Sequence, residues 1–325
     1  MIPCRKIFLT GLLLGWAFGG LSPVAAFDIN RMILKELKRN GTYLKLNYSG
    51  MLYDAGISQL AKSRLLRKVK VLDLNTHEIT DAGAAALAGS RYLKNLQSLS
   101  LFNNKIGPEG ARALSESKAW PRLVSLNLWG NQIGPEGARA LADSQSLTHL
   151  ELLDLTGNGI GPEGIQALAQ SPNVSHLTTL RLAGNGLGDS GVKALAQSPH
   201  LKRLKVLDLS ENEIGPAGLA ALAGSPVVAG LEKLYLNKNR LGNEGVKHLA
   251  ESDKLKGLVE LELEWNGLTL EGARTLADSP HWTRMKFLKL WGNEIGDEGV
   301  RLLKQSAALK NVTNPIYPGV ESKEH

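Results

Sequence analysis

Asparagine occurs at positions 104, 131, 158, 185, 212, 239, 266 and 293, each 27 residues after the one before, and His77 holds the place ahead of the first. Numbering units of 27 so that this residue is position 9 sets the unit starts at 69, 96, 123, 150, 177, 204, 231, 258 and 285. Leucine fills positions 4, 6 and 19 of all nine units, and glycine fills position 15. No insertion or deletion interrupts the 243 residues (9 × 27). A strict period of this length restricts the chain to a stack of like units, because one unit cannot bury its own apolar face and its neighbours must cover it.

Each unit reads as strand, turn, helix, turn. The leucines at positions 4 and 6 alternate with outward residues, which predicts a short strand with one face inward. Glycine at position 12 opens a turn, and Pro108, Pro135, Pro162 and Pro216 follow at the first helical position, where a missing N–H costs nothing. Glu109, Glu136 and Glu163 place negative charge at helix starts. Gly110 and its equivalents, with Ala111, Ala113 and Leu114, are expected to let each helix lie close against its strand. Ser-Pro pairs at Ser171, Ser198, Ser225 and Ser279 are expected to end helices and turn the chain back. Parallel strands stack about 4.8 Å apart, whereas helices need about 8–10 Å. The mismatch bends the stack into an α/β horseshoe, a parallel sheet on the concave face and helices on the convex face.

The pattern L-x-x-L-x-L-x-x-N-x-I-G-x-x-G-x-x-x-L resembles the ribonuclease-inhibitor type of leucine-rich repeat over about three quarters of the chain. The run IGPEGARALA, with SPHLKRL at Ser198–Leu204, is similar to long repeat runs of bacterial proteins. The resemblance implies that the asparagines point inward and bond the backbone of neighbouring turns, with His77 doing the same work less completely. The absence of Cys-rich caps departs from typical animal extracellular repeat proteins. The repeat type also resembles that of the Ran GTPase-activating proteins, which implies a regulator of a small GTPase as an alternative should the N-terminus not direct export.

Both ends break the pattern. Residues 27–68 combine an amphipathic helix near Asn30 to Arg39 with an imperfect unit, TYLKLNYSGMLYDAGISQL, whose strand is one residue out of phase. This segment is expected to be an N-terminal cap over the apolar end of the stack. At the other end, residues 312–325 are expected to be a cap and tail: AALKNV begins a tenth unit, then Pro315 and Pro318 blunt further pairing.

The first 26 residues stand outside the fold. MIPCRK is basic, IFLTGLLLGWAFGGL is apolar, and SPVAA offers small residues, the order of a secretory signal cleaved after Ala26. The alternative is a retained anchor, since Phe8 to Ala26 is uncharged; Gly19-Gly20 and Pro23 favour cleavage. The expected location is therefore the periplasm, cell envelope or outside, with no membrane insertion after cleavage, and the expected state is a monomer. The one cysteine, Cys4, lies inside the signal, so packing alone must stabilise the exported chain. Removing Arg5 and Lys6 from a net charge of +7 leaves +5, mild and dispersed along the chain. That argues against nucleic acid as partner and leaves weak attraction to an anionic envelope surface.

No chemistry-bearing constellation emerges. H-E-x-x-H, paired cysteines and G-x-S-x-G are absent from the sequence, and the Gly-x-x-Gly pairs are repeat turns. His149 and His176 share one register before the strand, and His200 and His281 another at the end of the helix. The sequons at Asn40, Asn47, Asn173 and Asn311 matter only on a eukaryotic secretory route. No catalytic residue, metal or cofactor is expected.

Rings carry the functional signal. Of nine aromatics between residues 69 and 311, six fall on the outward positions 3, 5, 7 and 8: Phe102, Trp129, Tyr235, Trp265, Phe287 and Trp291. Tyr92, Trp120 and Trp282 fall elsewhere, and the leucines and isoleucines are expected to fill the core without any of these rings. Alternation also places Glu260, Glu262 and Glu264 on the concave side, with Lys233 and Lys289 on the flanking strands. Aromatics dominate binding hot spots, so these eleven residues are the candidate partner-binding set, centred on units 7 to 9. The reading is a non-enzymatic, exported scaffold that grips a protein partner through its concave face. A cell-envelope glycan stacked on the tryptophans is the alternative.

Overall fold

Position-4 leucines lie opposite one another from strand to strand, Leu72 beside Leu99, Leu99 beside Leu126, and so on to Leu261 beside Leu288. The computed structural model describes residues 28–46 and 51–313. The expected signal segment, the sequon at Asn47, Pro315, Pro318 and the tail lie outside these residues. Ten three-residue strands, from Tyr43–Lys45 (β1) to Phe287–Lys289, follow one another in chain order in a single parallel sheet. Every step between units is 27 residues; the first, Leu44 to Leu72, is 28, the phase slip of the imperfect unit. A helix follows each strand and packs on the next helix along the stack. The leucines at positions 4 and 6 of all nine units are at most 3% exposed. The α/β leucine-rich-repeat solenoid is thus the observed architecture.

The asparagine column explains how the turns between layers stay buried. Asn185 Oδ1 accepts the N–H groups of Asn158 (3.1 Å) and Ile160 (3.3 Å) in the preceding unit. Its Nδ2 donates to the carbonyls of Leu155 and Leu182, both at 2.9 Å. Each asparagine so satisfies backbone groups on two layers that water cannot reach, although Asn266 does so through Nδ2 alone, its buried Oδ1 having no hydrogen-bond partner. His77, 1% exposed, substitutes a ring nitrogen for one such acceptor, Nδ1 receiving Leu52 N–H at 3.3 Å.

A second ladder runs along the helix ends. Position 22 is serine in all nine units, from Ser90 to Ser306. Each hydroxyl donates to the last-turn carbonyl 29 residues earlier, as Ser198 does to Ala169 at 2.5 Å and Ser90 to Ala61 at 2.7 Å. The four Ser-Pro pairs are members of this ladder, and the serine rather than the proline is the constant part.

Glycine at position 15 allows a close approach, but to a different partner than expected. A Cβ on Gly137 would lie 2.7 Å from Ile133 Cγ2, 3.0 Å from Ala111 Cβ and 3.2 Å from Pro108 Cα. Two of these atoms belong to the preceding helix, so the small residue brings helix to helix rather than helix to strand.

The residue at position 13 governs the next helix start. Asp54, at the equivalent place in the first layer, and Asp81, Asp189 and Asn243 reach across to accept the position-12 N–H of the following unit, at 2.6 to 3.0 Å. The recipients Thr80, Gly107, Gly215 and Thr269 are extended, with φ between −97° and −113°. Where position 13 is Pro108, Pro135, Pro162, Pro216 or Leu270, no such acceptor exists, and Gly134, Gly161, Gly188, Gly242 and Gly296 adopt φ of +56° to +63°. Glycine is needed only in the second group, and both threonines fall in the first.

At the N-terminal end, helix Ile29–Asn40 (α1) packs against β1 and against helix Tyr53–Ala61, burying Ile29 and Ile33 over the end of the stack. At the other end the ladder continues one step beyond the last strand, Thr313 N–H donating to Lys286 O at 2.9 Å.

Candidate concave binding surface

Strand registry turns the outward positions of units 7 to 9 into a grid. Position 3 reads Lys233, Glu260, Phe287, and position 5 reads Tyr235, Glu262, Lys289. Positions 7 and 8 continue as Asn237, Glu264, Trp291 and Lys238, Trp265, Gly292. Nine of the eleven candidate residues therefore share one continuous patch. Opposite charges face each other across it: Lys233 pairs with Glu260 at 2.7 Å, and Lys289 pairs with Glu262. These contacts raise the proton affinity of both lysines, Lys233 first through its hydrogen bond to Glu260 and Lys289 first through that to Glu262. Burial raises the Tyr235 phenol above its usual value, and Glu260 adds to this. The patch is consequently close to neutral and partly pre-paired. Exposed pairs of this kind add little to stability; they fix where each side chain points.

The rings are presented outward. Trp265 and Trp291 are 45% and 49% exposed, Phe287 is 40% exposed, and Tyr235 is half-buried. The two indoles meet edge to face with centroids 4.7 Å apart and an interplanar angle of 86°, a favoured aromatic geometry. Position 8 is left-handed in every unit, and glycine occupies it at 130, 157, 184 and 292. Trp265 sits there with φ +55°, in a conformation that costs an L-residue roughly 1–2 kcal/mol. Its ring lies over Gly292: a Cβ on that glycine would come within 2.3–2.8 Å of three indole carbons. Gly292 therefore seats the ring, a role the sequence reading missed although its position-8 neighbour is Trp265 itself. Asn237 was missed as well. It accepts the backbone N–H of Glu264 at 2.9 Å and donates to Glu262 Oε2 at 2.6 Å, which ties the Glu262 carboxylate to the turn that carries Glu264.

Phe102 and Trp129 stand apart from this patch. They form a tilted pair at 4.6 Å, with Trp129 46% exposed and Phe102 half-buried. Five units separate Trp129 from Trp265, about 24 Å at the strand spacing. Between them position 7 is small (Thr156, Ala183, Ser210), and position 5 carries Asp154, Arg181 and Asp208. Arg181 reaches Asp154 at 3.5 Å. Burial raises the Asp208 carboxyl above its ordinary value, against the hydrogen bonds it accepts from Ser210.

The aromatics at other positions correct one expectation. Trp120 and Trp282 are 1% exposed and Tyr92 is 5% exposed. The two tryptophans occupy position 25, elsewhere Leu or Val, so rings do fill core slots there. His149 and His176 stack at 6.2 Å on the edge. Among the described residues no three His, Cys, Asp or Glu side chains gather as a metal site, and no helix is long and apolar enough to cross a membrane. Asn173 is half-buried and both its amide hydrogens are engaged, by Ala142 O at 2.8 Å and Ser144 O at 2.5 Å.

A family model described as Leucine Rich repeat matches nine segments, residues 66–88, 92–115, 122–142, 146–169, 175–196, 198–223, 231–250, 258–277 and 284–304. They cover more than half of the chain, and the chain belongs to the leucine-rich-repeat family. Among solved structures it is similar to an internalin from Listeria monocytogenes, with 22% identity, a TM-score of 0.44, and coverage of 79% of this chain and 75% of that one. It is also similar to the plant peptide hormone receptor RGFR1, in complex with RGF2, with 18% identity, a TM-score of 0.40, and coverage of 70% and 33%. No curated protein matches the sequence.

Proposed function

We propose that the chain is an exported, non-enzymatic scaffold of the ribonuclease-inhibitor type whose concave face, at units 7 to 9, binds a protein partner. The type is supported by the 27-residue unit with a helix in each copy, and export by the signal-like order of residues 1–26. One observation carries the binding site: Trp265 is half-exposed, its ring seated on Gly292 and braced by Trp291. Exposed paired indoles on a rigid sheet are hot-spot chemistry. The mixed charges around them suit a protein surface, which offers both signs, better than a neutral glycan.

Photo-crosslinking tests the reading. A photoreactive residue replacing Glu264 should trap a discrete protein adduct in cells that produce the chain, and the same residue at Arg139 on the convex side should not. Adducts from position 139 alone would remove the concave assignment. N-terminal sequencing of the exported chain should begin at Phe27; an intact Met1 on released protein would contradict cleavage.

A further inference from the structure

Cations dispersed along the sequence converge on one edge of the solenoid. The ten loops that lead from helix to strand span positions 23 to 27 and the next 1 to 2, from residues 64–70 to residues 307–313. They hold sixteen Lys and Arg against three Asp and Glu, a net +13, while the whole chain is only +7. Because all ten strands are parallel and in register, these loops form one row. The loops leaving the strands, positions 6 to 14 of the nine units, hold three Lys and Arg against fourteen Asp and Glu, a net −11 on the opposite edge. Helix dipoles favour acids at helix starts and bases near helix ends, but that effect asks for about one charge per end. Residues 64–70 alone carry four cations and no acid, and the next two loops add Arg91, Lys94, Lys118 and Arg122 with none. All eight are exposed. Among the described residues, only Lys205 and Lys254 of the row have an ion pair, with Glu232 and Asp253.

We infer that this basic edge docks the protein on an anionic lipid bilayer, electrostatically and without insertion. The row runs about 43 Å at the strand spacing and, among the described residues, exposes no large apolar side chain. Its rings, Tyr92, Trp120 and Trp282, are buried, so it lacks the stacking platforms of single-stranded nucleic acid binders. A planar array of anionic headgroups meets the whole row at once. The acidic edge then faces away, and the concave face stands upright and open, so the inference is independent of the concave reading.

Vesicle co-sedimentation of the full chain tests it, with phosphatidylcholine vesicles as baseline for the apolar run at Phe8–Ala26 and vesicles containing phosphatidylglycerol as probe. Binding above baseline should be strong at 0.05 M salt and largely lost at 1 M, where the screening length falls to about 3 Å. Reversing Lys68, Lys70, Lys118 and Arg122 to Glu should weaken the anionic component at least roughly 100-fold. Neutralising the same four to Gln should weaken it at least roughly 30-fold. The charge-matched convex reversal of Arg112, Arg139, Lys193 and Lys247 should change it less than about three-fold. Three results would each overturn the inference: equal loss from the edge and convex variants, no preference for anionic vesicles, or retention on heparin or duplex DNA without retention on vesicles.

Discussion

Asn185→Leu, in the middle of the stack, isolates the contribution of the buried amide column. Leucine matches asparagine in shape but offers no hydrogen bond. The substitution would leave Asn158 N–H and Ile160 N–H without their acceptor, while the Leu155 and Leu182 carbonyls keep the Asn158 and Asn212 amides as donors. Asn185 is 3% exposed, so water cannot replace these bonds. At about 1 kcal/mol for each unsatisfied buried group, the low end of the usual range, the two together cost about 2 kcal/mol. In urea unfolding followed by far-UV circular dichroism, with a slope of about 3 kcal/mol/M, the midpoint should fall by roughly 0.7 M. Amide exchange should accelerate at Asn158 and Ile160 ahead of the rest. A midpoint shift under about 0.3 M for the leucine variant would show that the column is not what holds the layers together.

The helix-start rule predicts that Gly188→Thr, at φ +56°, costs about 1–2 kcal/mol. Gly107→Thr, extended like Thr80, should be close to neutral; equal thermal melts would refute the rule. Asp189→Ala removes the acceptor of Gly215 N–H and should cost about 0.5–2 kcal/mol in the same assay. Asp208→Asn should leave the protein as stable or more stable at pH 7, since Asn127 makes the equivalent bond to Trp129 N–H at 2.9 Å. Burial raises the folded carboxyl's proton affinity, so ionisation penalises the fold at neutral pH. The variant's advantage should therefore shrink as pH falls through that raised value; an advantage that grows on acidification would reverse the sign.

Most of the architecture was legible because it repeats. Leucines at positions 4 and 6, the asparagine column and the outward tryptophans each follow from one residue's place in a 27-residue unit. What escaped depends on relations between units. Asp189 acts on Gly215, 26 residues away, and no local pattern marks that pairing. Gly292 matters because Trp265 lies over it from the layer before. Trp120 and Trp282 looked like strays until position 25 proved to be a core slot. The charge was misread for the same reason: Lys68, Arg91 and Arg122 are far apart in the chain, and only the stacking puts them side by side. The serine at position 22 was visible nine times over, but its prolines drew attention first.

The proposed function requires Trp265 and Trp291 to serve a partner rather than the core. The direct measurement pairs the melting temperature with affinity for the protein trapped at Glu264, comparing the native chain with Trp265→Ala/Trp291→Ala. Exposed substitutions usually stay within about 0.5 kcal/mol each, and loss of the ring pair adds about 0.5–1.5 kcal/mol, so the melt should move by only a few degrees. Affinity should fall at least roughly 30-fold, as truncation of a hot-spot aromatic costs about 2 kcal/mol or more. A collapse of stability with affinity per folded molecule unchanged would contradict the claim and return both rings to the core.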